Sequence, residues 1–315
     1  MDKVIVTGCA GFIGSNLVDH LLKKGKQVQG IDNFKTGRIE FLDEAFSNPN
    51  FKFKNVDLFT NNNLVDSFQG YDILYHFAAN ADIRFGYQNP RKDLEQNTIV
   101  THNVLEAARL AGINKIVFAS TGSIYGESKI IPTPENSPFP IQTSLYGASK
   151  LAAEGLIQAY SETFGIQAWI FRFVSILGPR YSHGHVYDFY KQLLVNPKLL
   201  KVLGDGSQRK SYLHVNDCLM GIDIGIDKSD EKINIFNLGI DGTCSIKDSI
   251  NWITKSLRIN PRIEFENKDR GWVGDNPHIH LDIDKLSKLG WQPKNSIEQS
   301  VVDTVKFLEK NHWLQ

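Results

Sequence analysis

The run Lys3-Val4-Ile5-Val6-Thr7 passes directly into Gly8-Cys9-Ala10-Gly11-Phe12-Ile13-Gly14, and this junction constrains the fold more than any other part of the chain. The apolar, β-branched run has the character of a buried strand. Phe12, Ile13, Leu17, Val18, Leu21 and Leu22 then recur at helical spacing. Strand, glycine turn and helix in this order make a phosphate cradle. The helix amino terminus offers unpaired N–H groups and the positive end of a dipole. Glycines let the backbone approach a pyrophosphate and let the helix pack on the strand. The spacing is GxxGxxG rather than GxGxxG, and a glycine triplet alone is equally an ordinary turn, so its context decides.

That context includes an acid. Gln27-Val28-Gln29-Gly30-Ile31 reads as a second strand, and Asp32 stands at its carboxyl end, 18 residues after Gly14. A carboxylate there can hold both ribose hydroxyls of NAD and would repel the extra phosphate of NADP. The plainer reading is a loop-capping Asp before Asn33. Arg38 could tolerate a phosphate but lies several residues on. NAD is the expected cofactor.

Tyr146 and Lys150 stand in Tyr146-Gly147-Ala148-Ser149-Lys150, with Thr121 lying 25 positions upstream of Tyr146. Four residues is about one helical turn, so both side chains leave one helix face. A free tyrosine, with a pKa of about 10, is protonated at neutral pH. An ammonium ~4 Å away favours the phenolate by ~1 kcal/mol in water and by ~4 kcal/mol at an effective dielectric of about 20. Only the sheltered case would bring the tyrosine into the range of a useful base. A Tyr/Lys pair at this spacing is otherwise a solvated helix face, and a Thr at a strand end a turn hydroxyl. All three behind a dinucleotide turn favour the chemical reading.

Thr7 to Leu17, Asp32 to Arg38, His76-Phe77-Ala78-Ala79, Thr121 to Gly126 and Tyr146 to Lys150 together resemble the extended short-chain dehydrogenase/reductase family. Within it the chain is similar to the NAD-dependent nucleotide-sugar epimerases and dehydratases, most of all to the UDP-glucose (UDP-galactose) 4-epimerases. The resemblance runs from about residue 3 to about 305. It implies a catalytic set of Thr121, Tyr146 and Lys150, with Tyr146 the base and Lys150 lowering its pKa and binding the nicotinamide ribose. It implies NAD contacts from Gly8, Gly11, Phe12, Ile13, Gly14, Asp32, Asn33, Gly37, Asp57, Leu58, Ala78 and Ala79, besides Tyr146 and Lys150. Family 4,6-dehydratases usually carry Asp-Glu after this Thr, and UDP-glucuronate decarboxylases a Glu at the second position. Gly122 and Ser123 stand here instead. Both alternatives lose an acid–base group they require, whereas 4-epimerisation survives.

The same resemblance points to substrate contacts at Arg84, Ser123, Ser175, Tyr187, Arg209, Lys210, Arg270 and Asp275. Ser175 replaces the family's usual Asn. Arg209-Lys210 is shifted from the usual Arg-Asp pair, so Arg209 and Arg270 are rival diphosphate clamps; a guanidinium grips phosphate in bidentate fashion. His183/His185 and His278/His280 lack nearby ligands at metal spacing, so no metal is assigned. His76 is read as capping the fourth strand, and Asn97 as tying backbone near the fifth.

At 315 residues with 41% hydrophobic and 22% charged content, the chain can bury a substantial core. A net charge of zero gives no reason to expect nucleic acid or a membrane surface. Three widely spaced cysteines and the absence of a signal-like start fit a reducing cytoplasm. Strand-like runs near 3–7, 27–31, 51–55, 72–75, 115–119 and 167–173 alternate with helical stretches. The expected fold class is α/β: a Rossmann-type doubly wound parallel sheet with a smaller C-terminal α/β substrate lobe. The expected domains are 1–175, with elements near 214–239 returning to it, and 176–315. Residues 127–142 read as a stiff, proline-rich loop. Helices at 92–111 and 144–164 are expected to pair across a twofold axis into a homodimer, as in relatives. The rival functions are an epimerase or 4-reductase on a CDP-, GDP- or dTDP-sugar, and a non-catalytic NAD sensor.

Overall fold

The computed structural model describes residues 2–61, 63–139, 141–268, 271, 276 and 278–314, with only the backbone at 84 and 85. Arg270 and Asp275, and the side chain of Arg84, lie outside the described residues.

Strands β1 (Lys3–Thr7), β2 (Gln27–Asp32), β3 (Phe51–Asn55), β4 (Ile73–His76), β5 (Lys115–Thr121) and β6 (Gln167–Phe173) join the strand Ile233–Leu238 in one seven-stranded sheet. The order across the sheet is Ile233–Leu238, β6, β5, β4, β1, β2, β3. β1 pairs in parallel with β2 and β4, β2 with β3, and β4 with β5. This is the doubly wound Rossmann-type arrangement, and the order reverses between β1 and β4. Val4, Ile5 and Val6 are all fully buried because helices cover both faces of such a sheet. The core gathers Ile5, Ile31, Leu74, Val104, Phe118, Ala153, Ile157 and Ile170.

The chain divides into two compact units. The first comprises residues up to 124, 145–172 and 222–236; the second comprises 125–144, 173–221 and 237–315. The expected boundary near 175 thus falls at 172/173. The Val215–Lys228 helix is shared, dividing at 221/222, and Ile233–Leu238 is a strand of the large sheet. The proline-rich stretch belongs to the second unit, where the Asn237 amide donates to the carbonyls of Thr133 (2.9 Å) and Asp282 (3.0 Å). In that unit β7 (Ser175–Leu177) runs parallel to Tyr212–His214, and Arg209–Lys210 pairs with Cys244–Ser245 and His278–Ile279.

The helix expected over 92–111 is not uniform. A turn at Pro90–Asp93 runs into a π-helical segment, Leu94–Ile99, before the α-helix Val100–Leu110. Widened turns of this kind concentrate at functional sites. Here the wide turn carries Asn97. The second long helix is Leu145–Phe164, uniformly α-helical.

Candidate active site

The glycine turn is close-packed. Gly8 has φ +70°, and a Cβ there would lie 2.7 Å from the Ala78 nitrogen; one on Gly14 would lie 2.0 Å from the Gly8 carbonyl oxygen. No side chain fits at either position. Thr7 fastens the turn to the loop after β4. Its Oγ1 accepts from the N–H groups of Phe77 (3.2 Å) and Ala78 (3.3 Å) and bonds His76 Nδ1 (2.8 Å). Helix α1 (Phe12–Lys23) opens at Gly11 without a side-chain cap, so its first N–H groups remain available to an anion.

Asp32 ends β2 beside this turn. Its carboxylate accepts from the N–H groups of Ala10 (3.0 Å) and Phe34 (2.8 Å), and Gly37 packs against it. Burial raises its pKa, opposed by those N–H groups and that of Asn33. Asp57 holds Lys35 Nζ at 2.6 Å, and Leu58 is buried next to it. A tight, uncapped glycine turn with a carboxylate at the next strand end fits a dinucleotide. Gly8, Gly11, Phe12, Ile13 and Gly14 would hold its pyrophosphate, and Asp32 with Asn33 and Gly37 its adenosine ribose.

Thr121 ends β5, and the Leu145–Phe164 helix brings Tyr146 to it. The Thr121 hydroxyl hydrogen-bonds the Tyr146 side chain in the sense that favours the phenolate. The same oxygen lies 3.2 Å from Ser123 Oγ and accepts from the Ser123 N–H (3.1 Å). Lys150, one turn after Tyr146, is 2% exposed, its ammonium 4.0 Å from the centre of the Phe118 ring.

The electrostatics correct one expectation. Tyr146 is pushed up to about 12, not down: burial dominates, the Thr121 bond opposes it, and the charge of Asp93 adds to it. Lys150 is itself lowered to about 7 by burial, against the pull of Glu154. Taking each group out of water dominates both shifts.

A stability prediction follows. The Lys150 pKa falls from 10.5 to about 7 on folding. Its burial is therefore costly at low pH, fully so below about 7, and the cost fades as pH rises towards 10.5. At about 1.4 kcal/mol per pKa unit the upper bound is about 5 kcal/mol. Lys150→Met should raise the Tm at pH 6 by several degrees and by progressively less towards pH 10. A pH-independent Tm difference would show that Lys150 is not desolvated as described.

Asn97 acts differently from its reading. Its amide donates to Ser149 Oγ (2.9 Å) and to the carbonyl of Asn80 (3.3 Å), while its oxygen accepts from the Asn80 N–H (2.9 Å). It therefore ties the loop after β4, not β5, to the helix bearing Tyr146. Ser149 Oγ in turn donates to the Tyr146 carbonyl (2.8 Å). His76 is fully buried between Thr7 and Thr101 and lowered to about 3 by burial and the charge of Lys150, so it is neutral.

Sequence reasoning missed Asp93 and Glu154. Asp93 is 1% exposed; Oδ1 accepts from the Asn80 amide (2.8 Å), and Oδ2 has no hydrogen-bond partner among the described residues. Burial raises it, against the Asn80 bond, and the charge of Asp82 adds to the rise. Glu154 is fully buried and paired with Arg172 (Nη2 to Oε2, 2.8 Å). The spacing Tyr146, Lys150, Glu154 was a readable signal for the second; nothing in the sequence distinguished the first.

Of the described substrate positions, Ser123 lies in the first unit and Ser175, Tyr187, Arg209 and Lys210 in the second. Ser175 is exposed at the start of β7. The Tyr187 hydroxyl donates to the Leu314 carbonyl (2.7 Å). Arg209 bonds Thr243 through Nε to Oγ1 and Nη2 to the carbonyl, both 3.1 Å. Lys210 is half-buried in its strand. His185 bonds Ser249 (2.8 Å), and His280 Nε2 accepts from the Gly242 N–H (3.3 Å).

Comparison with known proteins places this arrangement. Residues 4–239 match the family model "NAD dependent epimerase/dehydratase family". The chain is 30% identical to the UDP-glucose 4-epimerase of Mycolicibacterium smegmatis, over 97% of this chain and 98% of that one. It is 32% identical to UDP-glucuronic acid decarboxylase 2 of Arabidopsis thaliana, over 96% of this chain and 67% of the other. The crystal structure of UDP-glucuronic acid 4-epimerase from Bacillus cereus, complexed with UDP-glucuronic acid and NAD, superposes with a TM-score of 0.90 at 29% identity, covering 98% of this chain and 99% of that one. The chain belongs to the NAD dependent epimerase/dehydratase family, and within it to the NAD-dependent epimerases.

Proposed function

We propose that the protein is a UDP-hexose 4-epimerase that interconverts UDP-glucose and UDP-galactose, or closely related UDP-hexoses, through a transient 4-keto sugar. One observation carries the reading. Thr121 and Tyr146 share a hydrogen bond, Lys150 follows one helical turn on, the same sheet carries the dinucleotide turn, and the positions after Thr121 hold Gly122 and Ser123 rather than acids. NAD, held by the glycine turn and Asp32, would supply the hydride acceptor and donor for C4, with the keto sugar turning to present its other face before the hydride's return. Tyr146 takes the proton of the 4-hydroxyl and gives it back. Thr121 donates to the same oxygen and steadies the ketone. Lys150 supplies the positive charge that the buried Tyr146 needs to ionise, and binds the nicotinamide ribose.

The curated relatives include enzymes named for UDP-glucose and UDP-glucuronate 4-epimerisation, which favours a uridine diphosphate sugar. The decarboxylase likeness favours a second reading, but Ser123 offers only a hydroxyl, already engaged with Thr121. Ser175, Tyr187, Arg209 and Lys210, with Arg84, Arg270 and Asp275, are proposed to meet the sugar diphosphate. For this, Arg209 must exchange Thr243 for phosphate. A homodimer through the Val100–Leu110 and Leu145–Phe164 helices is proposed, consistent with exposed Ile99, Leu110 and Phe164. Three buried free cysteines fit a cytoplasmic protein. No helix among the described residues is long and apolar enough to cross a membrane.

Incubation with UDP-, GDP-, CDP- and dTDP-sugars, followed by proton NMR without added reductant, tests the reading. Interconversion of C4 epimers of a UDP-sugar is expected. Inertness towards every UDP-sugar would end it and reopen the reductase and sensor functions.

A further inference from the structure

Behind the Tyr146–Lys150 turn lies a charged pair that the proposed reaction does not use. Glu154 stands one helical turn beyond Lys150 and is fully buried. Its Oε1 accepts from Ser120 Oγ and from Arg172 Nε (3.1 Å), and its Oε2 accepts from Arg172 Nη2 (2.8 Å). Arg172, on β6, is 2% exposed. One carboxylate thus grips β5 at the residue before Thr121, grips β6, and faces the ammonium from its own helix.

Stability does not account for such a pair. Desolvating two charges costs about what their attraction returns, and well-packed apolar replacements are often neutral or better. Its surroundings do account for it. Tyr146 and Glu154 flank Lys150 on its own helix. From β4 comes His76, which is neutral; from β5, the ring of Phe118; from β6, Arg172, already bound to Glu154. Among the described residues, the negative charge acting on Lys150 is that of Glu154.

Resting on the epimerase reading for its purpose but not for its test, we propose that Glu154 is a positioning residue: it supplies the counter-charge that favours the ammonium form of the buried Lys150, and it locks the Thr121 end of β5 to the helix bearing Tyr146 and Lys150. Arg172, bonded to both carboxylate oxygens, aims the carboxylate and moderates its field. Burial lowers Lys150 to about 7 even with Glu154 in place, so ammonium and amine are both populated near neutral pH and loss of the negative charge would shift the balance to the amine.

Lysine Cε NMR on 13C-lysine-labelled protein reads this directly, with the Lys150 signal assigned from Lys150→Met. Glu154→Gln should move the Lys150 midpoint down by about one pH unit or more, the size expected for an opposite charge within a few ångströms. Arg172→Gln, which leaves Glu154 unpaired, should move it up. If either single variant fails to fold, Glu154→Gln with Arg172→Gln removes both charges together and should still titrate below wild type. Glu154→Asp should stay near wild type in midpoint. A midpoint unmoved in Glu154→Gln, or unmoved in the folded double variant, would overturn the proposal and leave the pair a packing element. The titration needs no turnover, so an inert UDP-sugar panel would fail the epimerase reading alone. Normal epimerisation with an insensitive Lys150 would fail this inference alone.

Discussion

Tyr146→Phe is expected to lower kcat by about 10²–10⁴-fold while NAD content and Tm stay close to wild type. The hydroxyl is the group that would move the proton, and its described partner is Thr121. The ring remains to fill the space beside Lys150. The folded-state pKa of about 12 lies above the ordinary 10.0 of a tyrosine, so the neutral phenol is the form folding prefers. Stability from this group is present below pH 10 and lost as pH rises through about 12. The Phe variant should therefore be less sensitive than wild type to unfolding at the alkaline extreme. Turnover within a few-fold of wild type would remove Tyr146 from the chemistry. Loss of NAD along with turnover would instead make it a cofactor contact.

Gly14→Ala should abolish tight NAD binding. The added Cβ would stand 2.0 Å from the Gly8 carbonyl oxygen and 3.2 Å from Cys9 Cα, and both are backbone atoms that cannot swing aside. The turn must open or α1 must lift from β1. Overpacking of this kind costs about 1–3 kcal/mol. Because the shift falls on the N–H groups that would meet the pyrophosphate, the Kd for NAD is expected to rise by about 10²-fold or more, equivalent to roughly 2.7 kcal/mol. Calorimetric titration with NAD and a thermal melt check the two parts separately. Wild-type affinity would mean that the cradle has slack its contacts do not suggest.

Much of the site is local, and local features are legible in a chain. The glycine turn, Asp32 and the Tyr146–Lys150 spacing are each fixed by a strand end or a helical turn. The strands near 3–7, 115–119 and 167–173 could be read because buried parallel strands are largely continuous apolar runs, and that near 51–55 from the Phe51/Phe53 alternation of an edge strand. The π-helical turn at Leu94–Ile99 escaped, since its register differs from an α-helix by a residue that no hydrophobic period records. Asp93 and Glu154 escaped for another reason. A charged residue on a helix reads as solvated, and only the neighbours brought by β5, β6 and the loop after β4 show that both are buried.

The sequence by itself determined the doubly wound sheet, the glycine turn and the Tyr146–Lys150 spacing, because each depends on period, glycine placement and spacing along one element; the resemblance to a family added Thr121 to the proposed set. The tertiary structure alone decided the protonation of that set. Whether Tyr146 ionises depends on how much water the fold removes from it and from Lys150, and on where Glu154, Arg172 and Asp93 come to rest. Desolvation is a property of the packed interior, set by residues far apart in the chain.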